Sequence, residues 1–204
     1  MSTIRSQKIP AQHHGEEADI IETVQAATEE DARQIFRAAR QRLFDVSHWE
    51  NISKGISASF VLTDQSGRPK QGVPAPGDHF RINIPGPGSA AGSGYDWVKV
   101  ELVEDNSDAA SPSESALIKV RPAEDPVKQE GIAHFLDKEA TSSFIVKREN
   151  KLVTAAVHGR NEKPNTAAEK ITDKIRNAVV GTAAVKGIAK IQWQKLVTGL
   201  LNIR

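Results

Sequence analysis

Six segments in which apolar and polar residues alternate lie between residues 57 and 160, and this succession restricts the fold more than any other feature. Examples are SASFVLTD (57–64), HFRINI (79–84) and ALIKVRP (116–122). Alternation with a period of two is typical of strands that bury one face. Because no crossover helix is predicted between successive strands, the strands are predicted to pair antiparallel.

The alternation also predicts which side chains face the interior. HFRINI and DWVKVELVED (96–105) have the clearest pattern. The residues assigned to the buried face are Phe80, Ile82 and Ile84 in the first segment and Val98, Val100 and Leu102 in the second. SFIVKRENKLVTAAVHGR (143–160) is interpreted as a hairpin whose turn is supplied by residues 148–150.

The segment before these strands is predicted to be a strand followed by a helix. Residues 19–27 contain β-forming side chains, and Thr28 with Asp31 has the spacing of a helix N-cap. The helix is expected to end near Asp45, with a short second helix after it and Trp49 filling the core. Its apolar face consists of Ala32, Ile35, Phe36, Ala39 and Leu43, which recur at helical spacing.

The C-terminal part of the chain is predicted to be a long helix that begins near Thr166. Gly187 is expected to kink or break this helix, with a short terminal helix after it. The predicted class is therefore α+β, with a curved antiparallel sheet of about seven strands packed on a long C-terminal helix. Residues 1–17 are predicted to be a flexible arm, and residues 18–204 a single domain with an extra C-terminal helical segment.

The glycine-rich segment NIPGPGSAAGSGYDW (83–97) resembles a relaxed phosphate-binding loop. A true dinucleotide fingerprint opens a helix, whereas the residues that follow here alternate as a strand. Pro87 also removes a backbone N–H that an anion would need. The segment is therefore interpreted as a connector between two strands.

Composition excludes several classes of function. The 27 basic and 26 acidic residues give no overall attraction for nucleic acid, although the segment after residue 159 is basic. The absence of cysteine excludes disulfides, thiolate zinc sites and a cysteine nucleophile. No secretory signal or membrane-spanning segment is recognised, so a cytoplasmic protein is expected, with no metal, no cofactor and no nucleic-acid partner.

The segment IIETVQAATEEDARQIFRAARQRLFDVSHWENIS (20–53) resembles the opening of the START-like superfamily, also called SRPBCC or helix-grip proteins. The matching positions after the helix are Asp45, Val46, Trp49 and Ile52. PGDHFRINI (76–84) and DWVKVELVED are similar to early strands of that superfamily. The resemblance covers roughly residues 19–185 and concerns the fold.

The resemblance implies a sheet that grips the C-terminal helix, often around an apolar cavity. Members bind lipids, sterols, hormones or polyketides, or act as cyclases, ring-hydroxylase subunits or cochaperones. The expected function is non-catalytic binding of a small hydrophobic molecule or lipid between sheet and helix. The expected ligand-binding residues are Phe60, Ile82, Ile84, Tyr95, Val100, Ile118, Val146, His158, Ile175 and Val179.

Two other functions stay open from the sequence. A cyclase-like or hydrolase-like enzyme requires a titratable group that faces the cavity. A cavity-free interaction protein requires a filled interior and an exposed edge or tail. No catalytic residue is assigned, and the oligomeric state is not predicted.

Overall fold

The computed structural model describes residues 9–53, 58–84, 89–166 and 183–202, with residues 183–189 described for their backbone only. It confirms the α+β class. The helical segments are α1 (Glu29–Phe44), a 3-10 turn (Val46–His48), α2 (Trp49–Ile52) and α3 (Ala183–Leu201). The strands are β1 (Glu16–Gln25), β2 (Ser59–Thr63), β3 (His79–Asn83), β4 (Asp96–Asn106), β5 (Ser113–Pro122), β6 (Thr141–Glu149) and β7 (Leu152–Glu162).

The seven strands form one sheet in the order β1-β7-β6-β5-β4-β3-β2, and every neighbouring pair is antiparallel. The sheet is strongly curved. In a flat sheet, β6 and β2 would lie roughly 19 Å apart, which is four strand spacings. Yet the ring of Trp49 contacts both Phe144 of β6, at 4.7 Å between centroids, and Phe60 of β2, at 5.4 Å. We call the concave side, which carries these rings, the inner face, and the convex side the outer face.

Helix α1 begins and ends where the sequence predicts. The Thr28 hydroxyl accepts a hydrogen bond from the Asp31 N–H at 3.0 Å, and the Asp31 carboxylate accepts one from the Thr28 N–H at 3.1 Å. Asp45 follows the last helical residue. The predicted apolar face is buried, and it packs mainly against β6 and the C-terminal helix.

The alternation of β4 is interrupted by a bulge between Val100 and Leu102. Val98 and Val100 are buried in the core as predicted, but Leu102 is not part of that core, and Val103 packs against it instead. The extra residue at a bulge reverses which alternate positions face inward. The prediction for Leu102 is therefore wrong, since it assumed unbroken alternation.

The described part of the predicted N-terminal arm makes specific contacts. The side chain of Asn161 accepts hydrogen bonds from the backbone N–H groups of His13 at 2.8 Å and His14 at 3.3 Å. It also donates to the carbonyl of Ala11. Strand β1 begins at Glu16, inside the segment assigned to the arm. Residues 11–14 are thus docked against the end of β7.

The glycine-rich segment connects β3 to β4, so a strand follows it, as the sequence predicts. Residues 85–88 lie outside the described residues. The remainder forms turns that lead directly into Asp96, the first residue of β4. The helix that a dinucleotide site requires is not among the described elements of this connection.

Candidate functional site

The inner face of the sheet gathers most of the apolar residues predicted to bind a ligand. Each strand of the sheet turns alternate side chains toward the concave side, so residues that are distant in sequence share one surface. Ile84 follows β3 and packs against this cluster while keeping part of its surface exposed. The predicted residues that are fully buried in the cluster are Phe60, Ile82, Val100, Ile118 and Val146.

Trp49 occupies the middle of the inner face and is completely buried. Its ring contacts Phe80 at 6.0 Å, in addition to Phe60 and Phe144. Its indole N–H donates to the carbonyls of Arg42 at 3.1 Å and Leu43 at 3.2 Å, in the last turn of α1. The sequence-based expectation that Trp49 fills the core is confirmed.

Helix α3 covers the inner face with its last three turns. Trp193 contacts the ring of Phe144 at 5.3 Å and that of Phe60 at 6.1 Å. Leu196, Val197 and Leu200 are buried beside it. The order strand, helix, helix, six strands and helix, with the last helix held in a curved antiparallel sheet, is the predicted architecture.

The described elements form a helix-grip fold. Among solved structures, a hypothetical protein from Helicobacter pylori is similar, with a TM-score of 0.48 and 13% identity over 95% of this chain and 92% of that chain. Norcoclaurine synthase from Thalictrum flavum has a TM-score of 0.35 and 15% identity, with 90% of this chain and 96% of that chain covered. For Ara h 8.0201 the values are 0.34 and 14%, with 90% and 99% covered. No protein-family model and no curated protein matches the sequence.

The described part of the helix that grips the sheet lies in the segment predicted to be extra. Helix α3 runs without a break through Gly187, so a break there is the wrong prediction. Ile175 and Val179, predicted to close the site, lie outside the described residues. The signal that identifies the gripping turns is the spacing of Trp193, Leu196, Val197 and Leu200, which are the i, i+3, i+4 and i+7 positions of one helix face.

Arg42 fixes the end of α3 in the helix-grip fold. Its guanidinium donates to the carbonyls of Gly199 at 3.0 Å and Leu200 at 3.2 Å, and also to that of Asn202. These are carbonyls that a helix end leaves without partners. At Gly199, a Cβ atom would lie 2.2 Å from the backbone oxygen of Ile52. The last turn of α3 is therefore in direct backbone contact with α2.

His158 and Tyr95, the two polar residues among those expected to bind a ligand, do not face the inner side. Val153, Ala155 and Val157 of β7 are in the core, so His158 points to the outer face, where its Nδ1 lies 2.6 Å from Asp19 Oδ1. Tyr95 packs in a separate cluster with Ala91, Trp97 and Ala133. Its ring lies under the guanidinium of Arg81, 4.7 Å from the ring centroid. The structure corrects both expectations, because strand parity and the connection before β4 place these side chains elsewhere.

His48 and His134 lie outside the strands that form the inner face. His48 is more than half exposed and pairs with Asp45 at 2.7 Å. His134 stacks on Phe135 in the connection between β5 and β6. Within the described ranges, no group of three His, Asp or Glu side chains could hold a metal ion. No helix in the described part of the chain is long and apolar enough to cross a membrane.

His79, on the outer face of β3, makes stability depend on pH. Burial, and then the Lys99 ammonium opposite it, lower the pKa of His79 below its ordinary value of 6.5. The unfolded chain therefore takes up a proton more readily than the folded chain. We expect the free energy of unfolding to decrease as the pH falls below 6.5, by at most about 1.4 kcal/mol per pH unit from this group. Urea unfolding between pH 5 and 8 measures this, and a His79→Asn variant with an unchanged slope would contradict it.

Proposed function

We propose that the helix-grip domain binds one small apolar molecule between the inner face of the sheet and helix α3. The single observation that carries the proposal is the apolar surface left partly exposed at the edge of the core. Ile84 and Trp193 pack against the buried cluster but are not themselves fully buried. A ligand that covers this surface would gain roughly 25 cal/mol for each Å2 of apolar area removed from water, less the cost of ordering.

Trp193 is the residue best placed to contact such a ligand. Its indole bridges Phe60 on an edge strand and Phe144 on a central strand, so it lies across the concave side. Ile84 is at the end of β3, just before the glycine-rich connector. We infer that a ligand lies against Trp193 and Ile84, with Phe60 and Ile82 behind it. Val100, Ile118 and Val146 form the floor of the same surface.

The described residues favour binding over catalysis. The charged inner-face groups of β5 and β6 are Glu114 and Arg148, which are paired with each other at 2.6 Å. Glu22 on β1 is bonded to Gln194 of α3 at 3.1 Å. A cyclase or hydrolase would need an available acid or base beside the apolar surface. A small apolar ligand needs none.

Titration with a fluorescent apolar probe tests the proposal. We expect 1-anilinonaphthalene-8-sulfonate to bind saturably at one site per chain. The Trp193→Phe variant should bind the probe about threefold more weakly or worse, because it loses part of the surface that the ligand covers. The Trp97→Phe variant is the matched control, because Trp97 lies in the separate outer cluster. It should keep the wild-type affinity.

A cooperative urea transition in each variant would show that the probe is not binding to a loosened core. Native mass spectrometry of the freshly purified protein would then identify any apolar molecule that co-purifies with it. Unsaturable probe binding would argue for the cavity-free interaction protein instead. Equal probe affinity in the Trp193→Phe and Trp97→Phe variants would do the same.

A further inference from the structure

The outer face of strands β5, β6 and β7 carries a hydroxyl between two basic side chains. Ser143 of β6 is paired in register with Lys119 of β5 on one side and His158 of β7 on the other. Two residues away on the same face, Thr141 is paired with Arg160 of β7. Neighbouring side chains on one face of a sheet are close enough to act on one ligand.

Arg121 completes the second of these two rows. It lies two residues after Lys119 on β5 and therefore on the same face. Continuing the β5–β6 register by one residue makes Arg121 the β5 neighbour of Thr141, as Lys119 is of Ser143. We call the two rows the outer-face array, which consists of Lys119, Arg121, Thr141, Ser143, His158 and Arg160.

Both hydroxyls of the outer-face array are buried and lack a hydrogen-bond partner. Ser143 has no exposed surface and Thr141 only 2%. Neither Ser143 Oγ nor Thr141 Oγ1 has a partner among the described residues. Buried hydroxyls nearly always have a partner, so two adjacent exceptions indicate a group that the chain itself does not supply.

The charge around the hydroxyls is positive on both sides. The basic groups on β5 and β7 are one strand away from β6. The carboxylates that pair with them are two strands away: Glu101 on β4, and Glu17 and Asp19 on β1. With a strand spacing of roughly 4.8 Å, the nearer charges dominate the potential at Ser143 and Thr141. A negative group is therefore favoured at this position.

The carboxylates hold the basic side chains in place, but some N–H donors of the two arginines are not used in these ion pairs. Arg121 donates from Nε to Glu101 and from Nη1 to the carbonyl of Lys138. Arg160 uses Nη1 toward Asp19 at 2.7 Å. In the part of the chain that the structure describes, the Nη2 atoms of both arginines have no hydrogen-bond partner.

We propose that the outer-face array binds a phosphate group. A tetrahedral oxyanion offers enough acceptors for both hydroxyls, the Lys119 ammonium and the free guanidinium nitrogens. Lys119 and Arg160 are only 17% and 12% exposed, so an anion bound beside them is largely removed from bulk water. The site is on the side of the sheet opposite the apolar surface, and its existence does not depend on ligand binding there.

Calorimetric titration with inorganic phosphate at constant ionic strength tests this site. We expect saturable binding of one phosphate per chain, with acetate giving none. The double variant Thr141→Val/Ser143→Ala should bind phosphate at least about tenfold more weakly. In phosphate-free buffer it should unfold at the same or a higher urea concentration than the wild type, because it removes two unsatisfied buried hydroxyls. Weaker binding therefore cannot be attributed to unfolding.

A pair of lysine variants provides the matched control. Lys119→Met should weaken phosphate binding, whereas Lys147→Met should not, because Lys147 lies on the same face of β6 but pairs with Glu149 outside the array. Glycerol 3-phosphate distinguishes the source of the group: tighter binding than phosphate indicates a larger phosphorylated ligand, and equal or weaker binding indicates the free anion. Unsaturable phosphate binding would overturn the proposal, and so would wild-type affinity in the Thr141→Val/Ser143→Ala variant.

Discussion

Replacing Arg148 with methionine is expected to lower the free energy of unfolding by about 3–5 kcal/mol. Arg148 and Glu114 form an ion pair at 2.6 Å in which both side chains are almost completely buried. Removing the guanidinium leaves the Glu114 carboxylate without its partner in the core. It also removes the bonds from Arg148 to the carbonyls of Ser111, Pro112 and Asn150. Urea unfolding of the variant measures the loss.

Two further variants separate the pairing from the loss of the side chain itself. The double variant Glu114→Gln/Arg148→Met should recover part of the stability, because no unpaired charge then stays buried. Arg37→Met is the exposed control, since Arg37 pairs with Glu30 at the surface. It should change stability by less than about 0.5 kcal/mol. An effect of Arg148→Met as small as that of the surface control would show that the buried pair is not needed.

Replacing Trp49 with alanine is expected to cost about 3–5 kcal/mol. The variant loses ring contacts with Phe60, Phe80 and Phe144 together with the bonds from its indole N–H, and leaves a cavity. Trp49→Phe should cost less, because it keeps an aromatic ring and loses mainly the N–H donor. Chemical denaturation gives both values.

The same cavity supplies an independent check. Apolar cavities made by truncating a core side chain can bind small aromatic molecules. Added indole should therefore raise the unfolding midpoint of Trp49→Ala by more than that of the wild type. If Trp49→Ala were as stable as the wild type, Trp49 would not be the centre of the inner face.

The arrangement of the inner face could be predicted wherever local patterns decide it. Phe80 and Ile82 are buried with Ile84 packed beside them, and Thr28 caps α1. Both could be predicted because alternation and capping depend only on neighbouring residues. The bulge in β4 could not be predicted in this way. It depends on how two strands pair, and nothing in the spacing of Val98, Val100 and Leu102 reports it.

Sequence patterns predict the location of charged residues in the fold less well than that of apolar residues. The turn between β6 and β7 was predicted at residues 148–150, but Arg148 belongs to β6 and is completely buried. An arginine next to a turn is usually solvated, and only its partner Glu114, brought alongside by the register of β5, makes burial possible. His158 was misplaced for a related reason: its position at the end of an apolar strand does not show which face it occupies.

The position of β1 has a consequence for how the protein is made. β1 leaves the ribosome before the other described strands, yet its partner among them, β7, is the last of these to be synthesised. The strands β2 to β7 follow one another as neighbours and can pair as they emerge. β1 cannot pair until β7 has been synthesised. The loop closed by this pairing spans most of the chain, so we expect the pairing of β1 with β7 to be slow. Until then β7 is an open edge, where a second nascent chain can compete with β1 for the same backbone groups.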